Sequence, residues 1–167
     1  MTAEGQVTND HNEVPMEGKK ISESSVTIAH VMMPQDANPS GNVHGGVVMK
    51  YIDTAAGVVA RRHARCNCVT ASIDRLDFHH PVYIGDLLTL KAGLNMVGKT
   101  SMEIGVRAEA EDLVTGRIRH TSSAYLTFVA LDSTGRPRGV PSLVLETEEE
   151  KRRNQEANDR KGVRLAE

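Results

Sequence analysis

The sequence is poor in cysteine, poor in aromatic residues and without any excess of charge. Its 167 residues include two cysteines, Cys66 and Cys68, too few and too close together for a disulfide framework. On one strand they would point to opposite faces, which argues against a joint metal site, and they suit a reducing compartment. The net charge is -2 and the pI about 6.4, so no basic field exists to draw in nucleic acid. The opening residues lack both a basic and an apolar region, which speaks against a secretory leader. No apolar run reaches the length of a membrane span, and a cytoplasmic protein is expected. A glycine-rich phosphate loop is missing, which leaves nucleotide hydrolysis without support. Ser122 and Ser123 lack the surroundings of a nucleophile elbow. His79-His80 has no acidic or cysteine partner at ligand spacing, so no metal site is expected.

What is present suits one domain of ordinary size. Residues 1–20 are polar and read as a disordered arm. Val26–Met33 has the pattern of a strand and Pro34–Asn42 that of a loop, followed by a helix from about Gly45 to His63. Strand signals then recur at Val69–Phe78, Leu87–Met96, Ser101–Ala110 and Arg117–Leu131. The last three are joined by short turns at Gly98-Lys99 and Thr115-Gly116, as in an antiparallel meander. Val140–Leu145 is an apolar connector. From Glu146 to 167 the chain is charged, with Glu148-Glu149-Glu150 answered by Lys151-Arg152-Arg153, the pattern of a solvated helix held by i,i+4 pairs. The expected organisation is an arm over 1–20, a domain over 21–145 and a tail over 146–167. The fold class is α+β: a helix apolar nearly all round needs cover on most sides, and a long twisted antiparallel sheet can wrap it. Such a sheet leaves an edge strand that a second copy would cover, so at least a dimer is expected.

The most informative stretch is Asn38-Pro-Ser-Gly-Asn-Val-His44-Gly45-Gly46, with Asp53 beyond it. Proline, serine and two asparagines favour turns, and the glycine pair lets backbone approach a ligand. A helix that starts there offers unpaired N–H groups and the positive end of its dipole to an oxygen. A carbonyl oxygen gaining charge in acyl transfer would suit that end. Asp53 falls about two turns along the same helix, in a stripe with Lys50, Gly57 and Arg61. The stripe has two readings, a water-facing surface with a weak Lys50–Asp53 pair or the wall of a cleft between subunits. Asn38 reads by default as a turn residue and His44 as a cap. The seven methionines read as core filler.

At these residues the chain resembles the hotdog-fold acyl-CoA thioesterases, and among them the cytosolic long-chain (brain-type) acyl-CoA hydrolases. The resemblance rests on Asn38-x-x-Gly41-x-x-His44-Gly45-Gly46 with Asp53, on Asp77-Phe78-x-x-Pro81 with Ile84-Gly85-Asp86, and on Ala124–Ala130. It covers about residues 24 to 145. It implies a hotdog fold in which Asn38 and Asp53 form the catalytic pair, one from each partner domain. In brain-type enzymes two fused domains each keep one of the two residues. This chain keeps both, which implies a homodimer with two complete sites and, by the same resemblance, a trimer of dimers. Surface turns near the nucleotide in such enzymes make Lys99, Thr100 and Ser101 the candidates for coenzyme A contacts. With only five aromatic residues (Tyr51, Phe78, Tyr83, Tyr125, Phe128), no adenine-stacking platform can be assigned.

The expected reaction is hydrolysis of an acyl-CoA thioester. Gly45 and Gly46 N–H groups would form the oxyanion hole. Asp53 would act as general base or as nucleophile, with Asn38 orienting water or carbonyl and His44 in support. No metal or redox cofactor is expected, because a thioester is already activated, and the substrate is the one small-molecule partner. The rivals are a hotdog hydratase or dehydratase using His44 with Asp53, a non-catalytic acyl-CoA binder, and a protein whose charged tail mediates assembly.

Overall fold

The computed structural model describes residues 16–166. Its elements run β1 (Lys19–Lys20), β2 (Val26–Val31), α1 (Gly45–Ala64), β3 (Asn67–Phe78), β4 (Leu87–Val97), β5 (Ser101–Glu111), β6 (Ile118–Leu131), β7 (Leu143–Val144) and α2 (Glu148–Ala166). Five strands form one antiparallel sheet in the order β2-β4-β5-β6-β3. The meander β4-β5-β6 is its middle. β2 and β3, the strands on either side of α1 in sequence, are its two edges.

Alternation along the meander decides which face meets α1. Leu88, Leu90, Leu94, Met102, Ile104, Ala108, Leu126 and Ala130 all face inward and are at most 2% exposed. They meet Val48, Ile52, Ala55, Ala56, Val59 and Ala60 of α1, equally buried. Leucine, isoleucine and methionine on the sheet meet a helix face that mixes alanine with valine and isoleucine, and this interleaving of large and small side chains lets a curved sheet pack closely round a cylinder. This is the hotdog architecture, a sheet wrapped around one helix.

Local chemistry fixes the ends of α1. His44 Nδ1 accepts the Gly46 N–H at 3.1 Å, an N-cap. At the other end Arg65 takes a left-handed conformation (φ 54°) and its N–H reaches Arg61 O at 2.8 Å. Arg61, Arg62 and His63 in the last turn answer the negative end of the dipole. His63 is fully buried, and its Nε2–H donates to Pro141 O at 2.8 Å.

Two segments differ from the sequence reading. Of the expected arm over 1–20, residues 1–15 lie outside the described residues, but Lys19–Lys20 is fixed. It pairs in parallel with Leu143–Val144, and Lys19 Nζ donates to His63 O at 2.8 Å. The Val140–Leu145 connector therefore supplies a strand, β7. The charged tail is a helix with the expected Glu149–Arg152, Glu149–Arg153 and Arg152–Glu156 pairs, yet it is not simply solvated. α2 lies on the sheet's outer face. There Ala157 is fully buried, and Arg160 forks onto the fully buried carboxylate of Glu103 (2.6 and 3.2 Å). Asn154 Nδ2 reaches Asn95 O, and Arg164 pairs with Asp74.

Candidate active site

The loop before α1 is a self-bonded turn. Asn38 N–H donates to Asn42 O (2.7 Å) and Gly41 N–H to Asn38 O (3.0 Å). Asn38 Oδ1 accepts from the Ser40 and Asn42 N–H groups (3.0 and 3.2 Å). Gly41 has φ +85°, a conformation that L side chains rarely adopt. The asparagine oxygen is thus committed to holding its own loop, while the side-chain amide N–H groups remain as donors. Asn38 is half-buried, and His44 N–H to Asp36 O (2.8 Å) ties the loop to the helix start.

The glycine pair divides in use. The Gly46 N–H is taken by His44 Nδ1, so it does not stand open as an oxyanion donor in this chain. That corrects the expectation of two free donors: the imidazole that caps the helix competes for one of them. Among the described residues no acceptor takes the Gly45 N–H.

Asp53 is half-buried and turned towards β3, not Lys50: its Oδ1 accepts from Thr70 Oγ1 at 2.7 Å. Gly57, one turn on, is buried against Phe128, where an added Cβ would come within 3.5 Å of the ring. The stripe of Lys50, Asp53, Gly57 and Arg61 is therefore not a uniform water-facing surface. Thr70 stands at an irregularity of β3, between Thr70 and Ser72, and such bulges re-aim side chains. Sequence reasoning passed over Thr70. The available signal was topological: a strand that turns straight back after α1 must bring an early residue alongside the helix's middle.

Asn38 and Asp53 do not hydrogen-bond within one chain. Gly45 and Asp53 are themselves separated by about 12 Å of helix. Lys99, Thr100 and Ser101 lie further off. Their turn closes with Gly98 N–H to Ser101 O (2.7 Å) and packs on the ends of β6 and the Val140 segment. Ser101 pairs with Val129 and Asn67 with Leu131, so the turn sits where α1 ends and β3 begins. His44 and Gly45 sit at the opposite end, by Phe78. The histidines at the close of β3 are used internally: His79 N–H donates to Thr121 O, and His80 Nδ1 bonds His120 O at 3.0 Å.

The thioesterase superfamily pattern matches residues 40–117, which hold the glycine pair, Asp53 and Thr70. A Bacillus subtilis protein, the uncharacterized acyl-CoA thioester hydrolase YkhA, is 43% identical over 128 residues, 77% of this chain and 74% of that protein. The chain belongs to the acyl-CoA thioester hydrolases of the thioesterase superfamily. The cytosolic acyl coenzyme A thioester hydrolase of mouse is 39% identical over 146 residues, 86% of this chain. The chain spans only 38% of the length of that relative. The crystal structure of an apo-hexameric acyl-CoA thioesterase superposes with TM-score 0.87 at 38% identity, covering 90% of this chain and 97% of the other. An acyl-CoA hydrolase from Staphylococcus aureus, solved with butyryl coenzyme A, coenzyme A and coenzyme A disulfide, gives TM-score 0.81 at 36% identity, covering 89% and 90%. Variants of that hydrolase have been solved with an asparagine, an aspartate or a threonine replaced by alanine.

Proposed function

We propose that this chain hydrolyses acyl-CoA thioesters at sites completed by pairs of copies. Asp53 is the acid–base or nucleophilic carboxylate, and Asn38 of the facing protomer is its partner. One observation carries the reading: Asp53 is half-buried with one oxygen held by Thr70. The other oxygen is then free to take a proton from water or to attack a carbonyl. The asparagine, aspartate and threonine altered in the S. aureus hydrolase are spaced along their chain as Asn38, Asp53 and Thr70 are here, which supports the same three roles.

In the forward reaction the thioester carbonyl accepts the N–H of the partner's Gly45, from the protomer that also supplies Asn38, because Gly45 and Asp53 of one copy are about 12 Å apart. Charge growing on that oxygen is met by the donor and by the helix dipole. Asp53 takes a proton from water as the water adds to the carbonyl carbon, or adds there itself to give an anhydride that water then opens. In either route the C–S bond breaks and coenzyme A leaves as a thiol. The Asn38 amide N–H groups orient the carbonyl or the water. His44 supports the site by capping the helix. The thioester is activated enough to need no metal or redox cofactor. Since Asn38 and Asp53 of one copy bond to other groups and not to each other, a homodimer joined at the exposed β3 edge is the unit of activity in this reading. The hexameric relative supports a trimer of dimers. Lys99, Thr100 and Ser101, at the far end of their own sheet, are assigned to coenzyme A bound at a neighbouring copy's site. Among the described residues no helix is long and apolar enough to cross a membrane, and the cytosolic mouse relative favours a cytoplasmic setting.

The test is thiol release from acyl-CoA by Asp53→Asn. A loss of about 10²–10⁴-fold is expected, with fold and assembly retained, and wild-type turnover would end the assignment. Mixing unfolded and refolded Asp53→Asn with Asn38→Ala, each inactive alone, should restore about a quarter of the activity if sites are shared across a two-fold interface. No recovery in the mixture would place both residues in one chain's site.

A further inference from the structure

The loop that carries Asn38 rests at both ends on one short turn, Val82–Asp86. At its entry Met32 N–H donates to Asp86 O and Gly85 N–H to Met32 O, at 2.9 and 2.8 Å. At its exit Val43 N–H donates to Val82 O at 2.8 Å, and Asn42 bridges Tyr83. A carboxylate closes the turn: Asp86 Oδ2 accepts the Tyr83 N–H at 2.9 Å. The same oxygen accepts from Nη2 of Arg119, on β6, at 2.6 Å. Asp86 is 5% exposed, and the Arg119 guanidinium lies 5.2 Å from the centre of the Tyr83 ring. The pair joins residues 33 apart in the chain, and neither has a part in the reaction steps above.

We propose that Asp86 and Arg119 are positioning residues of the hydrolase, holding the Asn38 amide and the Gly45 N–H where the thioester carbonyl meets them. The inference rests on the acyl-CoA reading above and adds two residues to its machinery. The line of contacts is continuous. Arg119 fixes the Asp86 carboxylate, the carboxylate fixes Tyr83, and Tyr83 with Val82 fixes Asn42 and Val43. Asn38 N–H donates in turn to Asn42 O, and Val43 leads directly into His44 and Gly45. Charge-assisted hydrogen bonds are short and directional, so a buried ion pair fixes this turn more narrowly than apolar contact would. The anchor is β6, an inner strand of the sheet, which refers the loop to the rigid part of the fold. Met32 and Val43, at the two ends of the loop, are buried, and close packing there passes a shift of the turn on to the loop. A displacement of about 1 Å remote from the chemistry can cost about 10²-fold in rate. Asn38 and Gly45 act on charge that grows in the transition state, so the loss should fall on kcat and not on KM.

The experiment measures kcat and KM by thiol release from acyl-CoA for wild type, Asp86→Asn and Asp86→Glu, on protein shown by circular dichroism to be folded. Asp86→Asn keeps an acceptor for Tyr83 but leaves the Arg119 charge unpaired. Its kcat is expected to fall about 10²-fold, with KM within about threefold of wild type. Asp86→Glu keeps the charge, and with it the fold, but moves the carboxyl by one methylene, and kcat is expected to fall about tenfold. Wild-type kcat in folded Asp86→Asn, or in Asp86→Glu should Asp86→Asn not fold, overturns the inference. A second readout separates positioning from stability. In the co-refolded mixture of Asp53→Asn with Asn38→Ala, the working site takes Asn38 from the first chain and Asp53 from the second. Asp86→Glu added to the first chain should cut the recovered activity about tenfold. Added to the second, whose Asn38 half-site is already lost, it should leave the recovery of the parent mixture. Equal losses from either chain would make Asp86 a stability residue alone and overturn the inference. Absence of thiol release by the wild type instead sinks the hydrolase reading itself.

Discussion

α1 and α2 differ by one residue in length (20 against 19) and by nearly everything in composition. α1 buries nine residues, most of them valine and alanine, against the inner face of the sheet. α2 buries Ala157 alone, against the outer face. α1 is held by area removed from water, which is non-directional and tolerates small shifts. α2 is held by a few directed bonds around Glu103, Asn95 and Asp74. Each of these is strong only where its partner is desolvated. The same fold therefore carries one helix that its own sequence commits to the core and another whose seat is written in distant strands. Function follows the division: every proposed catalytic group lies on or beside α1.

The α1 side should show the largest effect. Ile52→Ala, at a site 1% exposed, should cost about 2–5 kcal/mol in urea unfolding. A loss below about 1 kcal/mol would mean that the sheet closes onto α1 without needing its apolar face.

From the α2 side, Glu103→Ala removes the bidentate acceptor of Arg160. Hydrogen bonds to a charged group contribute about 1.5–3 kcal/mol, so α2 should leave the sheet and become the first trypsin target, while the α1–sheet unit resists digestion. Unchanged digestion of α2 would show that Ala157 and Asn154 suffice to seat it.

Acid sharpens the contrast. Burial holds the His63 imidazole below its ordinary value, with Lys19 adding to that and the Pro141 carbonyl opposing it. For Arg160, burial would depress the guanidinium, but the hydrogen bonds and charge of Glu103 outweigh it and the pKa rises. Thus α1 carries a base kept neutral and α2 one kept charged. The folded-state pKa of His63 is depressed, so the unfolded chain takes up its proton first. The His63 contribution is complete above the ordinary value of 6.5 and is lost as pH falls below it. The urea midpoint should drop between pH 7.5 and 5, through the seat of α1. A midpoint flat over that range would contradict a neutral buried His63.

Much of this was legible in the chain. The apolar run from Val47 to Ala60, with a capping histidine before it and basic residues at its close, announced α1. Alternation marked the meander to within a residue or two of its ends. Lys19–Lys20 escaped notice because a two-residue strand has no periodicity and owes its order to its partner at Leu143–Val144. From its sequence α2 reads as solvated because one alanine among charges makes no apolar face, and Glu103, the partner of Arg160, is 57 residues away. Within the candidate site, Asn38, His44, Gly45 and Asp53 stood out by type and spacing. Thr70 and Phe78 did not, since a threonine or a phenylalanine in a strand is ordinary.

Residue order alone dictates which segment must be buried, where that helix begins and which polar residues accompany its start, because burial and capping are local matters of period and residue type. Packing in three dimensions sets the rest: Asp53 faces Thr70, His44 takes the Gly46 N–H, and Phe78 stands over Gly45 beside Val43, Val48 and Val82. These are meetings between residues far apart in the chain or set by a single χ angle, and no local pattern records the direction a side chain takes once the sheet has closed around the helix.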